Sequence, residues 1–250
     1  MSFLRRTLGL SRFDAQIAPR AAFAAIGDLH GCWTETDRLL RRLDGVLPTT
    51  ASVVFVGDYI DRGPESGRVL RNLMDLQRAC GTDRIVCLSG NHEEMLLDML
   101  DAPADAGPRW LRHGGLETLA SLGVAPVPLD AEEAAWFDLR DAVRAALGPK
   151  TEAWLRALPT LWHSGNVAVT HAGADPALPL DAQDDDVLRW GHRDFARRGR
   201  RDGMWVVHGH TIVDTPKAAH GRIAIDTGAY ATGTLTAAVI SRGSCEFLFA

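Results

Sequence analysis

Five short segments of the sequence combine glycine with aspartate, histidine or asparagine, which are residue types that bind metal ions. These segments are GDLHG at 27–31, GDYIDRG at 57–63, GNHEE at 90–94, THAG at 170–173 and HGHT at 208–211. Carboxylate, imidazole and amide oxygen ligands suit manganese, iron or zinc better than they suit an all-oxygen calcium cage. Glycines beside such ligands let the backbone turn sharply and let substrate atoms approach closely. The five segments therefore predict a metal site that is assembled from loops.

An apolar run rich in alanine, valine and isoleucine precedes each of these segments, and such runs are typical of buried strands. The runs lie at 22–26, 52–56, 84–88, 167–170 and 204–207. Further strand-like runs follow at 222–225, 235–240 and 246–249. Helical patterns lie between the first three runs, at 35–43 and 66–78. This alternation predicts an α/β architecture, and a parallel sheet would bring the polar segments together at one edge.

The domain organisation follows from length and from one change of composition. A chain of 250 residues with 46% hydrophobic content fits one domain with a sizeable core. Residues 1–20 are interpreted as a loose lead-in, and 21–250 as a single domain. Within it, alanine, leucine, glutamate, arginine and tryptophan recur at helical spacing over 95–158, interrupted by proline and glycine. This region is predicted to be a helical insertion.

Charge, hydropathy and cysteine usage exclude several classes of protein. The net charge is -5, and the basic residues form no long stripe of the kind that binds nucleic acid. No stretch approaches the roughly 20 apolar residues that a membrane span requires. The four cysteines show no CxxC spacing, which favours reduced thiols over a zinc knuckle or a disulfide framework. The sequence therefore predicts a cytoplasmic protein without a nucleic-acid or membrane partner.

The ordered motifs GDxHG, GDxxDRG, GNHE, HAG and GHT resemble those of the calcineurin-like metallophosphoesterases. More narrowly, they resemble the phosphoprotein phosphatase group, which contains bacterial and phage lambda-type Ser/Thr protein phosphatases and symmetrical dinucleoside tetraphosphatases. The resemblance spans residues 22–240, and five motifs in the same order are far more specific than one. It implies a metallophosphoesterase sandwich of two mixed β-sheets flanked by helices, with the metals at the sheet edges.

The resemblance also implies a ligand set for two divalent metal ions. Asp28 and His30 would hold the first ion, and Asp58 would bridge both. The ligands implied for the second ion are Asn91, His171 and His210. Manganese is the favoured metal, with iron or zinc as alternatives, because mixed nitrogen and oxygen ligands accept all three.

A mechanism follows from this charge arrangement. Two cations about 3.5 to 4 Å apart would acidify a bridging water and neutralise phosphoryl oxygens during direct in-line attack. His92 would protonate the leaving oxygen, while Asp61 fixes the tautomer of His92 and supports its charged form. Arg62 would bind the phosphate, and no covalent phosphoenzyme is required.

Two further substrate-binding positions are implied by the same group. A second arginine is expected near a tryptophan after the HAG motif, where this chain has LRWGHR at 188–193. Arg193 is favoured as a catalytic and substrate-binding residue, and Arg189 is the alternative, because the spacing departs from the expected WxR. The segment DTGAY at 226–230 resembles the last active-site loop of the group and would put Tyr230 near the substrate.

The roles of two other histidines stay open at this point. His208 lies two residues before a ligand and is interpreted as support for it. His113 lies in the helical insertion and could contact substrate, although a surface or core position is favoured.

Three functions are compatible with these motifs. The leading hypothesis is a Ser/Thr protein phosphatase or broad phosphomonoesterase, acting on a phosphorylated protein or a small phosphoester. The alternative is a symmetrical dinucleoside tetraphosphate hydrolase, because the same metal chemistry cleaves phosphoanhydrides. A catalytically silent binding module is disfavoured, since every implied ligand and His92 are present.

Overall fold

Two five-stranded β-sheets form the centre of the fold in the computed structural model, which describes residues 13–250. In chain order the strands are β1 (Phe23–Ile26), β2 (Ser52–Phe55), β3 (Ile85–Cys87), β4 (Leu161–Ser164), β5 (Val167–Thr170), β6 (Trp205–His208), β7 (Lys217–Ala219), β8 (Arg222–Ala224), β9 (Thr236–Ser241) and β10 (Ser244–Phe249). The first sheet has the order β10-β9-β1-β2-β3 and the second has β4-β5-β6-β8-β7.

Both sheets are mixed. The strands β1, β2 and β3 are parallel, while β9 and β10 continue this sheet in antiparallel pairing. In the second sheet β5, β6 and β8 are parallel, and β4 and β7 are antiparallel edge strands. This confirms the α/β sandwich of two mixed sheets. The single parallel sheet suggested by the apolar runs alone is wrong, because the parallel strands divide into two sets of three.

The alternation of side chains along β1 explains how two layers of core form. Phe23 and Ala25 point into the apolar layer that also contains buried residues of the second sheet. Ala24 and Ile26 point the other way, into the layer beneath the helices. Successive residues of a strand face opposite sides of a sheet, so a run that is apolar at every position suits a strand buried on both faces.

Nine α-helices are found among the described residues. They are α1 (Trp33–Asp44), α2 (Ser66–Cys80), α3 (Asn91–Asp101), α4 (Pro103–Trp110), α5 (Leu116–Leu122), α6 (Glu133–Leu147), α7 (Pro149–Arg156), α8 (Asp185–Trp190) and α9 (Ala229–Thr232). A π-helical segment, Leu111–Gly115, joins α4 to α5. Pro103 and Pro149 occupy first-turn positions of α4 and α7, where proline is tolerated because no backbone donor is needed there.

Two strands, β4 and β7, have no counterpart among the predicted runs. Both are edge strands, and most of their residues are only half-buried or exposed. A half-exposed edge does not require a continuous apolar run, so the signal used for the central strands is absent.

The described part of the N-terminal lead-in, residues 13–20, packs on the second sheet. Ile17 is buried, and Trp205 donates a hydrogen bond from Nε1 to the carbonyl of Ala15 at 2.9 Å. The backbone N–H of Ala18 donates to Oδ1 of Asn166 at 2.7 Å. Residues 1–12 of the predicted lead-in lie outside the described residues, and the domain division itself stays a prediction.

Within residues 13–250, no helix has both the length and the apolar character needed to cross a membrane. All four cysteines have free thiols.

Candidate metal and phosphate site

The loops that follow five strands meet between the two sheets. Asp28 and His30 follow β1, Asp58 follows β2, and Asn91 begins α3 after β3. His171 and His210 come from the other sheet, after β5 and β6. All six side chains are buried except that of His210, which is half-buried. The sequence-predicted ligands therefore come together from both layers of the sandwich.

Asp58 lies between two groups of potential ligands. Its Oδ2 is 3.5 Å from Nε2 of His30, and its Oδ1 is 3.4 Å from Nε2 of His171. The first group comprises His30, Asp58 and His92, and the second comprises Asp58, His171 and His210, with donor atoms within 4.8 Å of one another. One carboxylate that faces two donor sets through opposite oxygens has the geometry of a bridging ligand.

Asn91 contributes to the second group through one oxygen. Its Oδ1 lies 2.9 Å from Nε2 of His171 and 2.8 Å from Nδ1 of His210. Three donor atoms thus converge on a small region beside Asp58, as the implied second ligand set requires.

Asp28 borders the site but lies outside both three-residue groups. Its carboxylate accepts hydrogen bonds from the backbone N–H of His210 at 3.0 and 3.2 Å. A Cβ on Gly209 would come within 1.8 Å of Oδ1 of Asp28, so only glycine allows this approach. His92 lies with His30 and Asp58 in the first of these groups.

The histidine rings are oriented by backbone carbonyls. Nδ1 of His30 is 2.8 Å from the carbonyl of Ile60, and Nδ1 of His171 is 3.2 Å from that of Val56. If Nδ1 carries the proton, each ring presents the lone pair of Nε2 to the site. Nε2 of His30 is buried without a hydrogen-bond partner among the described residues. A bound cation would satisfy this nitrogen, so the residues fit divalent ions.

Burial favours the neutral form of two histidines of the site, His30 and His171. It lowers the pKa of His30 to about 3 and the pKa of His171 to about 4, although the carboxylate of Asp58 opposes the shift in both cases. Neutral imidazole is the form that binds metal ions. The proposed ligand atoms are therefore available at neutral pH.

The carboxylates of the site repel one another. Burial raises the pKa of Asp28 well above its usual value, and the negative charges of Asp226 and Asp58 raise it further. Burial likewise raises the pKa of Asp226 to about 6. A bound cation would reverse this balance by stabilising the ionised forms. The clustering of buried acids is a second observation that fits a cation site.

His92 and Asp61 form a buried pair beside Asp58. Nδ1 of His92 is 2.7 Å from Oδ2 of Asp61. Burial alone would lower the pKa of His92, but the carboxylates of Asp58 and Asp61 outweigh it and raise the pKa. A guanidinium nitrogen of Arg62 lies 3.0 Å from Nε2 of His92, on the side of the ring away from Asp61. Because a guanidinium only donates, Nε2 accepts the contact from Arg62, while Asp61 orients the ring through Nδ1.

Tyr230 lies at the rim of the site. Its ring centre is 5.3 Å from the ring of His30 and 5.1 Å from the guanidinium carbon of Arg62, and the residue is 37% exposed. Arg62 and Tyr230 therefore form a cation–π contact next to the ligand groups. Arg62 is half-buried and Tyr230 is exposed, so a substrate-binding role for this pair stays a prediction.

The two candidate second arginines differ in their surroundings. Arg193 is exposed and forms no ion pair with any described residue. Arg189 on α8 donates from Nε to Glu94 of α3 at 2.8 Å, and Trp190 also donates to this carboxylate. Glu94 lies two residues after His92, so the ion pair links Arg189 to the helix that carries His92. A phosphate-binding role for Arg193 stays a prediction.

The two histidines whose roles the sequence left undecided, His208 and His113, do not belong to either donor group. His208 is buried, its Nδ1 is 3.0 Å from the carbonyl of Gly209, and its ring stacks edge-on against Phe195. Burial lowers the pKa of His208 to about 4. His113 is exposed, and its Nδ1 is 2.8 Å from the carbonyl of Arg109 within the insertion.

Glu93 is a residue of the site that sequence reasoning missed. Its buried carboxylate accepts hydrogen bonds from the backbone N–H groups of Asp58, Tyr59 and Gly90 at 2.8, 2.7 and 2.9 Å. It therefore ties the loop after β2 to the start of α3. A glutamate three residues after a helix N-cap is a capping-box signal, and this signal could have found it.

Comparisons with known proteins agree with this geometry. The family model described as calcineurin-like phosphoesterase matches residues 21–214. The asymmetrical bis(5'-nucleosyl)-tetraphosphatase PrpE of Bacillus velezensis is 30% identical over 86% of this chain and 87% of that protein. A symmetrical bis(5'-nucleosyl)-tetraphosphatase of Janthinobacterium sp. is 37% identical over 55% of this chain and 57% of its own length.

Solved structures share the fold. A protein provisionally described as a diadenosine tetraphosphatase has a TM-score of 0.63 at 21% identity, over 95% of this chain and 99% of that chain.

Proposed function

Because the chain belongs to the calcineurin-like phosphoesterase family, we propose that it hydrolyses the phosphoanhydride chain of dinucleoside tetraphosphates in a metal-dependent reaction. The proposal of metal-dependent hydrolysis depends mainly on the position of Asp58 between two donor groups. Arg62 and Tyr230 contact each other next to these groups. The substrate class is supported by the full-length relatives, which are dinucleoside tetraphosphatases. The alternative hypothesis, a symmetrical dinucleoside tetraphosphate hydrolase, is thus preferred for its substrate class over the leading hypothesis of a protein phosphatase, and the position of cleavage is left to experiment.

Two divalent ions would be held by residues of both sheets. His30 and Asp58 would contribute to one ion, and Asn91, His171 and His210 to the other, with Asp58 shared. When bound, such ions polarise phosphoryl oxygens and lower the pKa of water. Asp28 borders this set and would complete the coordination next to His30.

The proton and the phosphate would be handled by the chain's own residues. His92 would donate a proton from Nε2 to the departing oxygen, while its Nδ1 stays hydrogen-bonded to Asp61. Arg62 would bind phosphoryl oxygens through its guanidinium, since charge-assisted hydrogen bonds to phosphate are strong. Tyr230 would contact the substrate beside Arg62.

A phosphomonoesterase acting on phosphoproteins is the second candidate, and one observation favours it. A serine or threonine alkoxide is a poor leaving group and depends strongly on proton donation, whereas a phosphate leaving group depends on it less. The buried His92–Asp61 pair is well arranged for such donation. It therefore supports activity on monoesters as well as on anhydrides.

A substrate panel on the manganese-loaded protein separates the candidates. We expect kcat/KM to be higher on diadenosine tetraphosphate than on phosphoserine or phosphothreonine peptides. Two ADP molecules would show symmetrical cleavage, and AMP with ATP would show the asymmetrical reaction named for the full-length relatives. Iron-loaded and zinc-loaded protein serve as controls for the choice of metal. Higher kcat/KM on the phosphopeptides would replace this proposal with the second candidate.

A further inference from the structure

The helical insertion contacts the GDYIDRG loop through its side chains. Trp110, the last residue of α4, donates from Nε1 to the carboxylate of Asp61 at 3.1 Å. Thr118 on α5 donates from Oγ1 to Oδ1 of Asp61 at 2.6 Å. The same hydroxyl accepts a hydrogen bond from the backbone N–H of Asp61 at 2.8 Å. Two residues of the insertion thus hold both the backbone and the carboxylate of Asp61.

A third contact links the insertion to Arg62. The backbone N–H of Arg62 donates to the carbonyl of Gly114 at 3.1 Å. Gly114 lies in the π-helical segment with φ of 112°, and a Cβ there would come within 2.7 Å of the nitrogen of Arg62. Single-turn π segments inside helical regions frequently occur at functional sites. Here the segment brings one carbonyl of the insertion onto the loop that carries Asp61 and Arg62.

These contacts stabilise a strained backbone. Asp61 and Arg62 have φ of 69° and 66°, in the left-handed region that residues with a Cβ rarely adopt. Such conformations persist only where surrounding contacts favour them. The N–H groups of both residues are bonded to the insertion, so the insertion supplies contacts of this kind.

The bonds also determine which way Asp61 faces. Trp110, Thr118 and Asp61 are fully buried, so water does not compete for the carboxylate. Trp110 and Thr118 fill acceptor positions of the carboxylate and leave Oδ2 facing Nδ1 of His92 at 2.7 Å. A side chain that merely filled the core would not need polar atoms aimed at this one carboxylate.

We infer that Trp110, Gly114 and Thr118 are positioning residues of the reaction, through which the insertion orients the Asp61–His92 pair and Arg62. This inference rests on the proposed hydrolytic function, with His92 as the proton donor. The insertion then acts on the chemistry itself, in addition to any influence on which substrates enter.

The test compares two substitutions of Thr118 on aryl phosphates that differ in leaving group. Thr118→Val keeps the shape of the side chain and removes the hydroxyl, and Thr118→Ser keeps the hydroxyl. We expect Thr118→Val to lower kcat about tenfold on phenyl phosphate, as for loss of a strong hydrogen bond. The loss on 4-nitrophenyl phosphate should be smaller, because that leaving group needs less protonation. KM should change little, and Thr118→Ser should restore the kcat ratio of the two substrates.

Ser121 offers a matched control on the same helix. Its hydroxyl accepts from the backbone N–H of Gly67 at 3.1 Å and donates to the carbonyl of Thr118 at 2.8 Å. It therefore joins α5 to α2 without touching Asp61. Ser121→Ala should lower thermal stability while leaving the ratio of kcat on the two aryl phosphates unchanged. An equal loss on both substrates in Thr118→Val, or the same altered ratio in Ser121→Ala, would overturn the inference.

A second measurement needs no turnover and separates this inference from the proposed function. The proton on Nδ1 of His92 gives an NMR signal that reports its hydrogen bond to Asp61. We expect that signal to shift in Thr118→Val and to return in Thr118→Ser. An unchanged signal in Thr118→Val contradicts the inference, whether or not the protein cleaves any phosphate. Failure to cleave diadenosine tetraphosphate contradicts only the proposed substrate.

Discussion

At the residue scale, the proposed reaction depends most on two side chains that face each other, Asp58 and His92. Asp58 contributes an oxygen to each donor group, and Nε2 of His92 lies 3.8 Å from Oδ2 of Asp58. The neighbouring His171, His92 and His30 outweigh the effect of burial and keep the pKa of Asp58 below its ordinary value. Asp58 is therefore ionised and ready to bind cations, while His92 is held beside it by Asp61.

Asp58→Asn should remove most of the activity, because the substitution keeps the shape but deletes the charge shared by both donor groups. We expect kcat to fall on the order of 100-fold or more, with fewer than two manganese ions retained per chain in an elemental analysis. Asp75→Asn, at an exposed position of α2, is the matched control and should behave as wild type. Unchanged function in Asp58→Asn would favour the silent binding module.

His92 could act as a proton donor or as a metal ligand, because it lies in the same donor group as His30. The substitution His92→Asn distinguishes these two roles. As a proton donor, His92 should contribute roughly 10²- to 10⁴-fold to kcat. We expect a loss of this size on phenyl phosphate, with two manganese ions still bound per chain. If His92→Asn instead loses one manganese ion per chain, and if kcat falls by the same factor for every leaving group, His92 is a metal ligand.

At the element scale, the beginning of α3 joins the two loops that follow β2 and β3. Gly90 is the N-cap of α3, and a Cβ there would lie 2.2 Å from Oδ1 of Asp58. Glu93, in the first turn, receives three backbone N–H groups from these loops. The helix thus sets the distance between Asp58 and Asn91, on which the second donor group depends.

Glu93→Gln should destabilise the protein, because an amide nitrogen would face backbone N–H groups in place of a carboxylate oxygen. Burial and the charge of Asp58 raise the pKa of Glu93 to about 7, so the comparison is made at pH 8, where the carboxylate is largely ionised. Loss of its buried hydrogen bonds then predicts a decrease of about 3 kcal/mol in the free energy of unfolding. Denaturant unfolding followed by circular dichroism measures this change. Glu94→Gln is the adjacent control, and its half-buried ion pair with Arg189 should contribute less than about 1 kcal/mol. Equal effects in the two variants would argue against a special role for Glu93.

At the scale of the whole molecule, the site lies where the two sheets meet. Asp28, Asp58 and Asn91 come from loops of the first sheet, and His171 and His210 come from loops of the second. A cation bound between them would link the two layers. It would also offset the burial and the repulsion by Asp226 and Asp58 that together raise the pKa of Asp28.

Metal binding should therefore raise the thermal stability of the entire fold. A ligand present at 100 times its Kd stabilises the folded state by about 2.7 kcal/mol. For a chain of this size, that corresponds to a rise in Tm of roughly 5 to 10 °C. Calorimetry of chelator-treated protein with and without added manganese measures the shift, and Asp58→Asn should show less of it. Identical Tm values with and without manganese would contradict a metal site between the sheets.

The sequence by itself determined the ligand types, their order and the central strands. Asp28 is close to His30 in the sequence, and Asp58 is close to Asp61. Each pair shares one loop after a strand, so the two residues stay near each other whatever the rest of the fold. Apolar runs identify β1, β2, β3 and β5 because these strands are buried on both faces. The motifs and the apolar runs are local features of the sequence. Their order, shared with the calcineurin-like metallophosphoesterases, is what makes them specific for one type of site.

Only the tertiary structure decided which distant side chains meet. Trp110 and Thr118 lie 49 and 57 residues from Asp61, yet both bond its carboxylate. The division into two sheets, the edge strands β4 and β7, and the pairing of Arg189 with Glu94 likewise depend on packing. Contacts of this kind leave no periodic pattern along the chain, because they satisfy buried polar groups across the fold and not within one element.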